Sequence, residues 1–381
     1  MKKVLLGTTA LLGAGLVASP AFAADGIKLG LGGFFKTAYM ATFDDDSEGE
    51  AGNEHNTDGF FSDAEVHFTG STVLDNGLEI GARIELEGEN ANDQIDEAWV
   101  YFSGGFGEVR IGSQDDALGK LCLLPPGGTA NFSAFSPSEW GANTLTTNSA
   151  CSGVAGDAQK ILYISPSFAG FQLGISYTPT AGAEDQTPAD RGGPHTGMHV
   201  NVADESRHDV AAYLSYSYEG DGWGLSAGAG GAWEGHVERT KPGPDRNEAS
   251  NYQAALNFTF GNFAIGGAFE YYHNALDQGP NDIDAWVAGG GISYTIDAWT
   301  VGAQYTHGDA DDDGASNASD QQDRVALTGN YAMGPGINVD AELAYTWTDT
   351  SNGGTGHFAD DASGLDNYDA FEIGIGTAIT F

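Results

Sequence analysis

The feature that most constrains the fold of this chain is a strict alternation of apolar and polar residues, which recurs from one end of the sequence to the other. In 337–347 the odd positions are apolar or aromatic and the even positions are mostly polar. The segments 78–87 and 371–381 alternate in the same way. A period of two places the apolar side chains on one face of an extended strand. The sequence therefore predicts an all-β chain.

Sixteen candidate strands are separated alternately by short turns and long polar loops. The turns carry Gly, Asn or Asp, as in 74–77 (LDNG) and 333–336 (MGPG). An even number of strands, with aromatic residues at both ends of short apolar bands, is typical of an antiparallel barrel that spans a membrane. The predicted strands are 28–42, 59–73, 78–89, 94–104, 108–114, 159–165, 170–179, 207–218, 223–234, 249–260, 263–273, 283–296, 299–307, 323–333, 337–348 and 367–381.

A transmembrane barrel also predicts how the chain closes. Lipid tolerates no open sheet edge, so we expect the first and last strands to pair. A β-sandwich is the alternative, but sixteen strands would need at least two sandwich domains. The sequence shows no linker between such domains.

The first 23 residues have the features of a signal peptide. Lys2 and Lys3 precede an apolar run, 4–17, and Ala21-Phe22-Ala23 gives a small-residue cleavage site. A membrane anchor is the alternative, but the run is short for a span of about 20 residues. We therefore predict an exported chain with one mature domain, 24–381.

The composition excludes two other classes of protein. The chain has 54 Asp plus Glu against 14 Lys plus Arg, a formal net charge of -40. Nucleic-acid binding depends on clustered Lys and Arg, so we expect no nucleic-acid partner. With 20 Phe, 15 Tyr and 7 Trp, the chain also has too much aromatic surface for a disordered protein.

Three blocks near the start and the last residue resemble a known family. The blocks are LGLGGFFKTAYM (29–40), FSDAEVHFTGSTVLDNGLEIGARIELEG (61–88) and DEAWVYFSGGFGEVRIGSQDDA (96–117), and the last residue is Phe381. They resemble the general diffusion porins of Gram-negative outer membranes, in particular the alphaproteobacterial branch. The resemblance implies a 16-stranded homotrimeric barrel in outer-membrane lipid, with the third long loop folded into the lumen. It also implies a water-filled channel for ions and small hydrophilic solutes, and a terminal Phe381 that the assembly machinery reads.

The third long loop, 115–158, holds both cysteines of the chain, Cys122 and Cys151. An exported protein meets an oxidising compartment, so we predict a disulfide between them. It would close 30 residues counting both ends, which contributes roughly 3 kcal/mol in the chain-entropy model. Two free thiols are the alternative.

Basic residues of the strands and acidic residues of this loop are candidates for the channel constriction. The alternation places Arg83 and Arg110 on the inner wall, together with Lys36. The resemblance implies that such wall cations face acids of the third loop. The acidic candidates are Asp115, Asp116, Glu139 and Asp157. The alternative is that Arg83 pairs along the wall with Glu85 or Glu108. Because acids dominate the chain, we expect cation selectivity.

One acidic segment matches the opening of a calcium-binding loop. Asp309, Asp311 and Asp313 alternate before a glycine, and Asp320 stands at the twelfth position. The competing interpretation is a solvated acidic loop without a metal. Calcium is therefore a second hypothesis here, and no cofactor is expected to be required.

Catalysis is not expected from this sequence. His67 and His307 fall in the inward phase, but neither has an adjacent serine nucleophile or a paired aspartate. The remaining alternative to a channel is an adhesin or structural barrel that displays acidic loops.

Overall fold

The computed structural model describes residues 26–44, 57–88, 95–135, 151, 153–181, 206–237, 248–274, 283–312, 319–351 and 367–381. These residues form one antiparallel sheet and one short helix, α1 (Ala117–Leu121). The strands are β1 Lys28–Asp44, β2 Asp58–Val73, β3 Glu79–Glu87, β4 Ala98–Gly104, β5 Gly107–Ser113, β6 Gln159–Ile164, β7 Phe171–Thr180, β8 Ser206–Glu219, β9 Trp223–Trp233, β10 His236–Val237, β11 Ser250–Phe260, β12 Phe263–His273, β13 Ile283–Ile296, β14 Trp299–Asp312, β15 Ser319–Gly334, β16 Ile337–Ser351 and β17 Asn367–Thr380. None of the described residues belongs to a helix long and apolar enough to cross a membrane.

The sheet closes on itself into a barrel with sixteen wall strands. The two-residue β10 continues β9 and pairs with the same neighbour, β8, so the two count as one wall strand. β1 pairs with β2 on one side and with β17 on the other. The predicted all-β transmembrane barrel and the pairing of its first and last strands are confirmed.

The pairing of β1 with β17, which closes the barrel, depends on a glycine. Gly33 and Phe381 exchange two backbone hydrogen bonds of 3.1 Å, which extend the β1–β17 ladder to the last residue. Gly33 has a φ of +148°, and a Cβ there would lie 2.1 Å from the carbonyl oxygen of Glu65. Only glycine fits this backbone without displacing β2.

All sixteen predicted strands are present, and the main difference is the length of one hairpin. β14 runs to Asp312 and β15 begins at Ser319, whereas the sequence predicted 299–307 and 323–333. Their paired register continues up to Asp311 opposite Ser319. The described acidic residues of this hairpin, Asp309, Asp311, Asp312 and Asp320, therefore lie on strands, where the sequence predicted a loop.

The two faces of the wall differ as the alternation predicts. The outer face carries exposed apolar side chains, such as Leu327 and Val301, which are both 54% exposed. Aromatic pairs flank this band at the short turns, including Trp299 with Tyr331 at 4.5 Å between ring centroids. Tyr39 and Phe60, at 5.1 Å, are an aromatic pair at the loop end. An apolar band between two aromatic girdles is the outer surface of a membrane barrel.

The described residues of the third long loop fold into the lumen, as predicted, and pack against the inner wall. Helix α1 buries Leu118 against Leu162 of β6 and Tyr213 of β8. Further along, Phe132 packs on β1 and β17, and Phe135 packs on β11 and β12. These separate apolar contacts hold the loop along a broad arc of the wall.

Polar contacts and a disulfide complete the anchoring of the loop. The Gln304 side chain accepts a hydrogen bond from the Ala134 backbone nitrogen at 2.8 Å. The Asn131 amide donates to the Asp340 carboxylate at 2.8 Å. Cys122 and Cys151 form the predicted disulfide, with their Cα atoms 5.7 Å apart.

Candidate pore constriction

The inner face of β1–β5 forms the wall opposite the anchored loop. Met40 of β1 contacts the loop, so even-numbered residues of β1 point inward and Lys36 is one of them. The register carries this phase through β2–β5. The inward side chains there include Asp63, Glu65, His67, Arg83, Glu85, Trp99, Tyr101, Glu108 and Arg110. This wall is therefore polar and strongly charged.

The three predicted cations all lie on this inner wall, and each is paired with a wall carboxylate. Lys36 Nζ lies 2.7 Å from Asp63. Arg110 Nε donates to Glu108 at 2.5 Å. Arg83 is paired with Glu85, which is one of the two wall partners that the sequence offered for it.

His67 connects two members of this wall. The Arg83 guanidinium donates to His67 Nδ1 at 2.9 Å, and His67 Nε2 lies 2.6 Å from Glu65. A guanidinium can only donate, so Nδ1 accepts and the proton on Nε2 points to Glu65. The prediction for His307 was wrong. Its side chain lies on the outer face, 5.2 Å from the Trp286 ring, because β14 there has its even-numbered residues inward.

The four acidic candidates of the loop differ in where they lie. Asp115 is 47% exposed and lies 4.0 Å from Lys120 Nζ. Asp116 was wrongly placed at the channel. It is 4% exposed and caps α1, because its carboxylate accepts from the backbone nitrogens of Leu118 and Gly119. Asp157 is half-buried, and Glu139 lies outside the described residues.

Asp115 and Asp157 form a carboxylate cluster with Glu97, which the sequence did not single out. One oxygen from each of the three lies within 4.8 Å of the others. Glu97 also accepts from the Asp115 backbone nitrogen at 2.7 Å. Burial raises the pKa of Glu97 to about 7. Burial, with the Asp115 carboxylate, raises the pKa of Asp157 to about 7.

Three clusters among the described residues have donor sets that could hold a cation. One is the Glu97 cluster, and the others lie on the wall. The wall clusters are Glu65, His67 and Glu85, and Asp63, Glu65 and Glu87.

The predicted calcium ligands are not brought together. Asp309 and Asp311 point outward from β14, whereas Asp320 points inward from β15 and is fully buried. Asp313 lies outside the described residues. Because the wall separates the two faces, these carboxylates cannot surround one ion.

Trp99 is the second residue that sequence reasoning missed. Its side chain is 6% exposed and lies between three cations. The distances from its ring centroid are 5.3 Å to Arg110, 5.5 Å to Arg83 and 6.0 Å to Lys120. The signal was obscured because β4 is apolar on both faces, and its inward phase emerges only from the register with β3 and β5.

The closed barrel, its charged wall and its inward loop together define a transmembrane β-barrel with a constricted lumen. The model of the Gram-negative porin family matches residues 7–352, and the chain belongs to this family. It is accordingly a protein of the outer membrane. The family and its fold are those of non-enzymatic channels.

Relatives and solved structures agree with this assignment. A monosaccharide porin from a Halomonas species is 27% identical over 203 residues, which are 50% of this chain and 53% of the relative. The chain thus spans about half the length of the curated relatives it matches. Among solved structures, the trimer form of OmpT, an outer membrane protein of Vibrio cholerae, is 15% identical with a TM-score of 0.59, over 94% of this chain and 100% of that chain. An anion-selective porin from Comamonas acidovorans is 17% identical with a TM-score of 0.58, over 93% of this chain and 100% of that chain.

Proposed function

We propose that the chain forms a water-filled channel through which ions and small hydrophilic solutes diffuse passively, with cations preferred. The observation that carries the proposal is the charged inner wall of β1–β5, which faces an anchored loop and keeps solvent access. The Arg83 side chain is 34% exposed there. A packed core would bury such groups. Diffusion along this wall needs neither a cofactor nor a catalytic step.

The charge balance of the constriction supports cation preference. Three cations, Arg83, Arg110 and Lys120, stand near the narrow part. The carboxylates paired with them are Glu85, Glu108 and Asp115, and Glu97 and Asp157 lie beside Asp115. The three pairs balance in charge, so the ionised fraction of Glu97 and Asp157 leaves a negative excess. A low-dielectric wall focuses this negative potential along the lumen.

A homotrimer in outer-membrane lipid is part of the proposal. β4 and β5 have seven residues each and β6 has six. At about 3.3 Å per residue and a tilt of about 40°, seven residues rise only about 18 Å, short of an apolar band of about 25 Å. Their outward side chains are apolar, including Val100 and Ile111. A second and third copy would cover this low side of the barrel, and the similar OmpT structure is a trimer form.

Single-channel recording in a planar bilayer tests the channel. Purified folded protein should give stepwise ohmic currents in KCl, and its reversal potential under a KCl gradient should have the sign of cation preference. Protein boiled before addition is the control. A folded barrel that gives no current would overturn the channel, and an anion-selective current would overturn only the cation preference. Chemical cross-linking in detergent should stop at three copies, and a single-copy product would contradict the trimer.

A further inference from the structure

Trp99 occupies a position where the wall has made room for a large ring. It lies opposite Gly112 of β5 in the strand register. A Cβ on Gly112 would lie 2.8 Å from the Cβ of Trp99, and Gly112 has a φ of +147°. The absent side chain therefore admits the indole into the wall between Arg83 and Arg110.

The burial of Trp99 excludes direct contact with a solute. A ring that is 6% exposed offers no face on which a sugar could stack. The electron-rich faces of an indole instead attract cations within about 6 Å. All three distances to the cations satisfy this limit. Any effect of Trp99 on permeation must therefore act through its cationic neighbours.

Each neighbouring cation of the wall is held from two sides. Arg83 lies between the indole and Glu85, and Arg110 lies between the indole and Glu108. Opposing attractions of this kind keep a long side chain in one position.

Lys120 reaches the same ring from the loop. It belongs to α1, which packs on β6–β9, so its ammonium bridges the loop helix and the β4 wall. It lies 6.0 Å from the ring centroid and 4.0 Å from the Asp115 carboxylate. Without the indole, the nearest attraction for Lys120 would be Asp115, the most exposed carboxylate of the cluster with Glu97 and Asp157.

We propose that Trp99 is a positioning residue that sets the ion selectivity of the constriction by keeping the Lys120 ammonium at its ring, so that Lys120 does not close fully onto Asp115. This inference rests on the proposed channel function. Lys120 lies 4.0 Å from Asp115, and loss of the indole lets the ammonium close onto the carboxylate and withdraw up to one negative charge from the ion path. In 0.1 M salt, one charge about 6 Å from the path changes the local concentrations of K⁺ and Cl⁻ about twofold in opposite directions, and their ratio about threefold.

The test compares Trp99→Leu, Trp99→Phe and a matched control, Phe102→Leu. Phe102 is an aromatic residue of the same strand whose side chain lies on the outer face, away from the lumen. The K⁺/Cl⁻ permeability ratio, measured from reversal potentials, should fall by up to about threefold in Trp99→Leu. It should fall less in Trp99→Phe, which keeps an aromatic face, and stay at the wild-type value in Phe102→Leu. Heat-resistant mobility on gels shows which variants fold. If Trp99→Leu does not fold, the permeability ratio of Trp99→Phe still tests the proposal.

A double-mutant cycle with Lys120→Gln separates positioning from a general structural effect. If Trp99 acts through Lys120, Trp99→Leu should change the permeability ratio much less in the Lys120→Gln background. A folded Trp99→Leu channel with wild-type selectivity would overturn the proposal, as would an equal shift in both backgrounds. A wild-type protein that passes no current would instead refute the channel itself, so the two failures are distinguishable.

Discussion

Lowering the pH from 8 to 6 perturbs the constriction without any mutation. Glu97 and Asp157 both have a pKa of about 7. Such a group is about 90% ionised at pH 8 and about 10% ionised at pH 6, so the pair loses about 1.6 negative charges. One charge about 6 Å from the ion path contributes about 0.7 kcal/mol in water, and 0.1 M salt with a Debye length of about 10 Å reduces this by about half. The local K⁺ concentration should therefore fall, and that of Cl⁻ rise, by slightly less than about threefold, so the K⁺/Cl⁻ permeability ratio should fall about sevenfold.

The direction of the change in cation preference follows from the ionisation of Glu97 and Asp157. Because burial raises both pKa values, the carboxyls are charged and attract cations at pH 8, and they are mostly neutral at pH 6. Exposed carboxyls with ordinary pKa values near 4 do not titrate in this window. The native carboxyls bind protons that the unfolded chain releases, so the contribution of this cluster to stability also rises as the pH falls toward 6.

Reversal potentials in 0.1 M KCl, recorded at half-unit steps from pH 8 to pH 6, measure the effect. The control is the double variant Glu97→Gln with Asp157→Asn, in which only other groups, such as histidines, can still titrate between pH 8 and pH 6. The difference between the wild type and the double variant therefore measures the effect of the cluster. A permeability ratio that is flat in the wild type, or that changes as much in the double variant as in the wild type, would refute the reasoning.

The remaining predictions concern other parts of the chain. Arg110→Ala should raise the cation preference about threefold, since it removes a cation and leaves Glu108 unpaired, and an unchanged reversal potential would remove Arg110 from the ion path. Cys122→Ser should alter single-channel conductance more than barrel melting, because the disulfide constrains only the loop; a large loss of melting temperature with normal conductance would contradict this. Deleting Phe381 should lower the amount of heat-resistant barrel in membranes, since it removes both backbone bonds to Gly33, and wild-type levels would speak against an assembly role. Intact mass should show a mature chain that begins at Ala24, and a chain retaining Lys2 would disprove cleavage.

The fold was predictable because a period of two is preserved wherever a strand has one apolar face. The same signal failed at β4, where Val100 is apolar outside and Trp99 is aromatic inside. Alternation cannot assign the phase of a strand whose two faces are both hydrophobic. The cross-strand register with Arg83 and Gly112 supplies that information, and it depends on three strands at once.

The site was harder to predict because its acids lie outside the strands. Asp115 and Asp116 are adjacent in the sequence, yet one faces solvent and the other caps α1. A loop has no period that tells the two apart. Glu97 precedes β4 and meets Asp157 across a separation that only the folded loop closes. The sequence also suggested a calcium-binding loop at the Asp309 segment, where the structure has a strand. The same spacing of acidic residues suits both structures.

The size and the ion selectivity of the lumen depend on different parts of the molecule. The cross-section is set by how the loop packs on the wall, through Phe132, Phe135 and the Asn131–Asp340 bond. The charges of the proposed ion path lie mainly on the opposite wall, on β2–β5, with Lys120 and Asp115 at the boundary. Several independent anchors make the loop position insensitive to the charges of β2–β5, because removing one of those charges breaks none of these anchors. Conductance and selectivity should therefore respond to separate sets of substitutions. Trp99 is connected to both, because it lies on the β4 wall and its ring lies 6.0 Å from Lys120 of the loop.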